Sequence, residues 1–177
     1  MQKDIDIIIY GATGFTGQLC VKYFKSLNTS VKWAIAGRDK EKLQQVAEDN
    51  SVDVEILIAD SDNEAELDVL TSRAKVILST TGPFHRYGSK LVASCIMNSS
   101  HYVDITGENF WVKGIIAKHH EEASAKGVRI IPSCGYDSIP SDLGVFFAAK
   151  ALNKPIKRIE SFHSWKGGAS GLSLIHI

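Results

Sequence analysis

The chain is 177 residues long with 44 % apolar and 23 % charged residues, the proportions of an ordinary globular protein able to bury a core. Its 20 Lys and Arg balance 20 Asp and Glu, which leaves no positive footprint for a nucleic acid, and none is expected as a partner. No apolar run approaches the roughly 18 residues of a membrane helix, and Lys3, Asp4 and Asp6 among the first isoleucines are wrong for a signal peptide, so an intracellular protein is expected.

Taken in order, strands and helices alternate. Ile5 to Tyr10 is a β-branched run with the composition of a buried strand. Leu19, Cys20, Tyr23, Phe24 and Leu27 recur at helical spacing over Phe15 to Leu27. Val31 to Ala36 reads as a second strand, and Asp39 caps a polar helix over Lys40 to Asp49. Val54 to Ala59 is a third strand, Asn63 to Leu70 a short helix and Val76 to Ser79 a fourth strand, after which Gly82 and Pro83 break the chain. Gly88 to Met97 is predicted helical, Tyr102 to Ile105 a fifth strand, and Phe110 to Lys126 a helix ended by Gly127. Val128 to Ile131 is a sixth strand stopped by Pro132, Ser141 caps a last helix through Leu152, and Ile156 to Trp165 reads as one more strand. This alternation predicts an α/β fold with a doubly wound parallel sheet.

Cys20, Cys95 and Cys134 are odd in number and widely spaced, which argues against a disulfide framework. Cys20 and Cys95 fall on apolar helix faces and are expected in the core, whereas Cys134 sits at a strand end. His119, His120, Glu121 and Glu122 lack a second histidine in metal-binding register and read as a solvated helix face, so no metal site is expected.

The strongest local motif is Gly11, Ala12, Thr13, Gly14, Phe15, Thr16, Gly17, directly after a strand and opening a helix. Gly11 permits a tight turn, Gly14 lets a pyrophosphate approach the backbone, and Gly17 lets the helix pack close to the strand. The free N–H groups at the helix start would then face the phosphates. No Gly-Lys-Ser/Thr follows, so the loop is not a P-loop. The second strand ends Ala36, Gly37, Arg38, about 20 residues on, where an NAD binder usually carries an acid for the ribose diol. A guanidinium there can pair with a 2′-phosphate, which favours NADP; an ion pair at the surface is the alternative. Asp39 is assigned to capping.

Polar and glycine clusters also follow the later strands, where ligands of open α/β sheets bind. They are Ser79, Thr80, Thr81, Gly82 and Pro83; Asp104, Thr106, Gly107 and Glu108; and Ser133, Cys134, Gly135, Tyr136 and Asp137. Thr80, Thr81, Gly82, Pro83, Asp104 and Gly135 are taken as the remaining cofactor-side residues. Tyr136 and Asp137 are the catalytic candidates, with Asp104, Glu108 and His85 also able to do acid/base work, although Asp137 could instead help to cap the last helix. No Tyr-x-x-x-Lys pair and no Gly-x-Ser-x-Gly elbow is present.

Together Tyr10 to Gly17, Ala36 to Arg38, Thr81 to Phe84, Tyr102 to Glu108 and Cys134 to Gly144 resemble the saccharopine dehydrogenase-like oxidoreductases, whose bacterial and plant relatives are often called trans-acting enoyl reductases. The resemblance covers residues 5 to 150 and implies an NADP-binding Rossmann half followed by a second α+β domain. Residues 1–152 are therefore expected to be the dinucleotide-binding domain and 153–177 the beginning of the second. The resemblance also implies hydride transfer to a lipid-related enoyl or carbonyl substrate in glycolipid metabolism. A binding module or lipid-droplet scaffold without turnover, and a saccharopine reductase, are the alternatives. Cytoplasmic or lipid-droplet and membrane association, through the remainder of the protein, and a homodimer stay open. Apolar surface around Val145 to Phe147 and Ile156 to Trp165 is expected to be exposed in the chain alone.

Overall fold

The structure is a computed structural model that describes residues 3–27, 29–152, 154–162 and 164. Six parallel strands form one sheet in the order β3-β2-β1-β4-β5-β6. They are β1 (Ile5–Tyr10), β2 (Trp33–Gly37), β3 (Glu55–Ile58), β4 (Ala74–Ser79), β5 (His101–Asp104) and β6 (Ile130–Ile131). The connecting helices are α1 (Phe15–Ser26), α2 (Lys40–Asp49), α3 (Glu64–Arg73), α4 (Phe84–Met97) and α5 (Asn109–Ala125), with α6 (Ile139–Leu152) after the last strand. None of them is long and apolar enough to cross a membrane, among the described residues.

Strand periodicity separates two cores. Ile8, Tyr10, Ala34, Ala36 and Ile77 point to the face covered by α3, α4 and α5, where Leu67, Leu70, Leu91, Val92 and Trp111 meet them. Ile9 and Ile35 point the other way, against Val21 of α1 and Leu43 and Val46 of α2. Both faces of the central strands are thus buried, which explains why β1 after Asp6 is an unbroken apolar run, Ile7 to Tyr10, rather than alternating. Cys95 lies in the first core, and Cys20 packs at the margin of the second.

Four expectations are corrected. The fourth helix begins at Phe84, not Gly88, because Glu108 caps its first turn from a distant loop. The last helix begins at Ile139, before the expected Ser141 cap, with Pro140 in its first turn, a position that tolerates the missing N–H. His119 is not on a solvated face: it is 8 % exposed and turns with Ala123 toward Val128 and Tyr102, lining a hollow of about 390 Å³ between α5 and β6. Burial holds its imidazole below the usual histidine range. The segment 156–162 forms no strand, since no described strand pairs with it, and Phe162 is 92 % exposed. Trp165 and most of the expected second-domain segment lie outside the described residues. As expected, Val145, Phe146 and Phe147 are exposed, and α6 buries no residue among those described.

Candidate functional site

The sheet reverses direction of winding at its centre, where β1 pairs with β2 on one side and β4 on the other. A crevice opens beyond the carboxyl ends of strands at such a switch point. Here it is a cleft of about 570 Å³, lined by Gly11, Thr13, Gly14, Phe15, Thr16, Gly37, Arg38, Thr80, Thr81, Gly82 and Pro83, together with Tyr10, Ser61 and Tyr87. Twelve of those residues, Tyr10 among them, come from the sequence motifs. Ala12 and Gly17 are buried behind the loop: Ala12 sits in the core, and Gly17 lies beneath the turn.

The loop conformation follows from its glycines. Gly11 has φ +87°, the left-handed region that disfavours a side chain, and a Cβ there would also meet the Thr81 hydroxyl and come within 3.0 Å of Thr80 Oγ1. A Cβ at Gly17 would lie 2.7 Å from Ala12 Cα and collide with the Gly11 carbonyl oxygen. Thr80 closes the turn from below, its N–H donating to Tyr10 O at 2.9 Å and its hydroxyl to Gly11 O at 3.1 Å.

Several observations test whether a dinucleotide fits. Gly14 caps α1 without a side-chain hydrogen bond, and the first turn carries no acidic residue, so the unpaired N–H groups there face an anion unopposed. Thr81 Oγ1 is buried without a hydrogen-bond partner at the cleft wall, an orphan that a ligand hydroxyl or amide can satisfy. At the far end of β2, Arg38 is exposed at the cleft mouth. Its neighbour Asp39 caps α2 by accepting from Lys42 N–H at 3.1 Å and pairs with Lys42 Nζ, also at 3.1 Å. Those bonds hold its carboxyl below the usual range and spend it on the helix, which leaves the cation as the group free to meet a ribose substituent. These features suit a dinucleotide with a 2′-phosphate.

Ser61 and Tyr87 were missed by the motif reading. Ser61 follows the third strand, so the same strand-end rule would have found it. Tyr87 sits on the first turn of α4, which the sequence placed in a loop. Tyr10 donates its hydroxyl to Ala59 O at 3.2 Å, and burial pushes its phenol up.

The acid/base candidates do not gather at one point. Glu108 Oε2 lies 2.6 Å from His85 Nδ1, with the carboxylate enclosed and the imidazole half exposed. Asp104 is elsewhere. It does not line the cleft but lies 1 % exposed under the strand ends, accepting from Tyr102 Oη at 2.9 Å, Thr106 N–H at 2.9 Å and Ser133 N–H at 2.9 Å. Burial raises its carboxyl despite those bonds. Ser133, held there at φ +61°, anchors the loop after β6. Gly135 packs against Ile105 and does not line the cleft either. Tyr136 is 75 % exposed and Asp137 is exposed beside it, both outside the cleft lining.

Residues 7–131 match the family model for the saccharopine dehydrogenase NADP-binding domain. A saccharopine dehydrogenase-like oxidoreductase of Mus musculus is 38 % identical, over 98 % of this chain and 44 % of its own length. A trans-acting enoyl reductase of Mycobacterium leprae is 40 % identical, over 82 % of this chain and 35 % of its own. Among solved structures, the L-Glu-forming saccharopine dehydrogenase of Saccharomyces cerevisiae superposes with TM-score 0.69 at 15 % identity, over 84 % of this chain and 31 % of that one, which is a likeness of fold. The chain thus spans less than half the length of the curated relatives it matches.

Proposed function

The chain belongs to the saccharopine dehydrogenase NADP-binding domain family, and on that premise we propose that it is the cofactor-holding part of an NADP-dependent oxidoreductase. The observation that carries this reading is the cleft at the switch point, with a glycine-built anion cradle at its centre and Arg38 at its mouth. Bound there, the cofactor supplies a hydride from its nicotinamide ring. The chain's own work is binding and orientation. The α1 N-terminus would take the pyrophosphate and Arg38 the 2′-phosphate, while Thr80 holds the glycine loop from below and Thr81 Oγ1 is left for a polar group of the cofactor. A lipid-related enoyl or carbonyl substrate, in glycolipid metabolism, is the proposed acceptor; the name of the mycobacterial relative, an enoyl reductase, supports its enoyl part alone. Tyr136 and Asp137 remain in this proposal as the acid and base, on a loop whose anchor Asp104 fixes. Association with membranes or lipid droplets and the division at residue 152 belong to the same proposal.

A second reading, a module that retains the cofactor without turnover, is favoured by the exposure of Tyr136 and Asp137 away from the cleft. Titration with NADPH and NADH, followed by nicotinamide fluorescence, tests the shared premise. NADPH should bind more tightly, and Arg38→Ala should weaken NADPH by about 10- to 100-fold, the worth of a charge-assisted contact, while sparing NADH. Equal losses for both cofactors would refute the assignment of Arg38. NADPH oxidation by the longer protein with enoyl and saccharopine-type substrates separates the enzyme from the module: no turnover despite tight binding favours the module.

A further inference from the structure

Glu108 is a buried acid that the cofactor reading does not use. Its carboxylate accepts the Phe84 N–H at 2.7 Å and the His85 N–H at 2.8 Å, with the His85 ring nitrogen 2.6 Å away. These two N–H groups open α4, whose N-cap is Pro83, a residue with no side-chain oxygen to offer and no N–H. The cap therefore comes from the loop after β5. That loop is itself tied down: Glu108 N–H donates to Thr106 Oγ1 at 3.0 Å, and Thr106 N–H donates to Asp104.

What the carboxylate holds is one wall of the cleft. Gly82 and Pro83, just before the capped turn, and Tyr87, within it, line the cleft on its β4 side. The other wall, the glycine loop and Arg38, stands on β1 and β2 and makes none of these bonds. If the 2′-phosphate lies at Arg38 and the pyrophosphate at the start of α1, the nicotinamide half must extend toward the β4 wall.

We propose that Glu108 is a positioning residue for the nicotinamide half of the cofactor, setting the Gly82–Pro83 wall through the capped turn of α4 and leaving the adenine half untouched. This rests on the dinucleotide reading of the cleft. A wall that is ordered only part of the time weakens the ligand that needs it in proportion to that fraction, and leaves a ligand that does not need it unchanged.

The test compares NADPH with adenosine 2′,5′-bisphosphate, which carries the adenine half alone, on the 177-residue chain. Glu108→Gln keeps the side-chain volume and one acceptor oxygen but loses the charge and the second acceptor. It should weaken NADPH by about tenfold, the loss of one charge-assisted hydrogen bond, and leave the bisphosphate within about twofold of wild type. Parallel weakening of both ligands, or no change in either, overturns the proposal. His85→Ala leaves both backbone donors in place and should cost less than Glu108→Gln; an equal NADPH loss would mean that the ring, not the cap, sets the wall, and would overturn it too. A measurement on the wild type covers the case in which Glu108→Gln does not fold. The Phe84 and His85 amide resonances should shift with NADPH and stay in place with the bisphosphate; amides unmoved by NADPH refute the idea. If the wild-type chain binds neither ligand, the dinucleotide reading itself has failed, a result distinct from all of these.

Discussion

Replacing Gly17 by alanine tests the packing of the loop against α1. The added Cβ would stand 2.7 Å from Ala12 Cα and 2.9 Å from the Gly11 carbonyl carbon, and closer still to that carbonyl's oxygen. Carbon pairs pack best at about 3.5–4.0 Å, so the overlap is on the order of 1 Å. All three neighbours are backbone atoms of the turn that follows β1, and none can rotate aside. The first turn of α1 must lift instead, which pulls Val21 from the core it fills at 0 % exposure. Overpacking of this kind costs about 1–3 kcal/mol, a large share of the roughly 5–15 kcal/mol that stabilises a domain. Lifting the turn also withdraws the N–H groups from the phosphates, so NADPH should weaken by about tenfold or more. Gly14→Ala is the contrast. A Cβ there meets only Gly11 O, at 3.4 Å, so stability should change by less than about 0.5 kcal/mol while the methyl obstructs the cleft that Gly14 lines. Urea unfolding and NADPH fluorescence titration give the two quantities. A Gly17→Ala protein with wild-type stability and affinity would refute the reasoning, as would equal destabilisation by the two substitutions.

Two further outcomes concern stability. Asp104→Asn keeps an oxygen for the Thr106 and Ser133 N–H groups and should be at least as stable as wild type at neutral pH, because burial raises the native carboxyl and makes its ionised form costly. The folded group then takes up its proton before the unfolded one, so the advantage of Asn should shrink as pH falls toward the unfolded value of about 3.9. Asp104→Ala orphans three donors and should cost about 3 kcal/mol or more; urea midpoints across pH read both, and an Asn variant as damaged as the Ala variant contradicts the account. Gly88→Ala drives a Cβ to 2.7 Å from Trp111 Cζ2, and Trp111 is pinned by its Nε1–H donating to Ser89 Oγ at 2.9 Å. About 1–3 kcal/mol should be lost in thermal or urea unfolding, and a neutral result would show that the indole yields.

What the sequence told, it told through local pattern. The glycine spacing after Ile5 to Tyr10 marked the switch-point loop, and the two-residue step from Gly37 to Asp39 separated a cleft cation from a helix cap, because both roles depend on neighbours in the chain. The misses depend on tertiary partners that no local pattern names. The start of α4 at Phe84 needs Glu108, which no helix-start pattern around Pro83 contains. Asp104 read as a cleft residue because it ends a strand, yet the Tyr102 hydroxyl and the Ser133 N–H draw it under the sheet edge. His119 looked solvated in a charged run, but α5 turns that position toward Val128. Ile156 to Trp165 read as a strand, but over the described residues 156–162 no strand pairs with it, and a strand without a neighbour does not form.

The closing of the glycine loop by Thr80 links points 70 residues apart in the chain. Until β4 has docked beside β1, the loop has no floor and the cleft only one wall. Such a nonlocal pairing pays its loop-closure entropy before any contact rewards it, so it belongs to the slow part of folding. A dinucleotide is therefore a ligand of the closed chain alone, and it adds roughly 2.7 kcal/mol at a concentration one hundred times its Kd. In a growing polypeptide the cofactor can act only after Thr81 has emerged, as a latch on a topology already chosen.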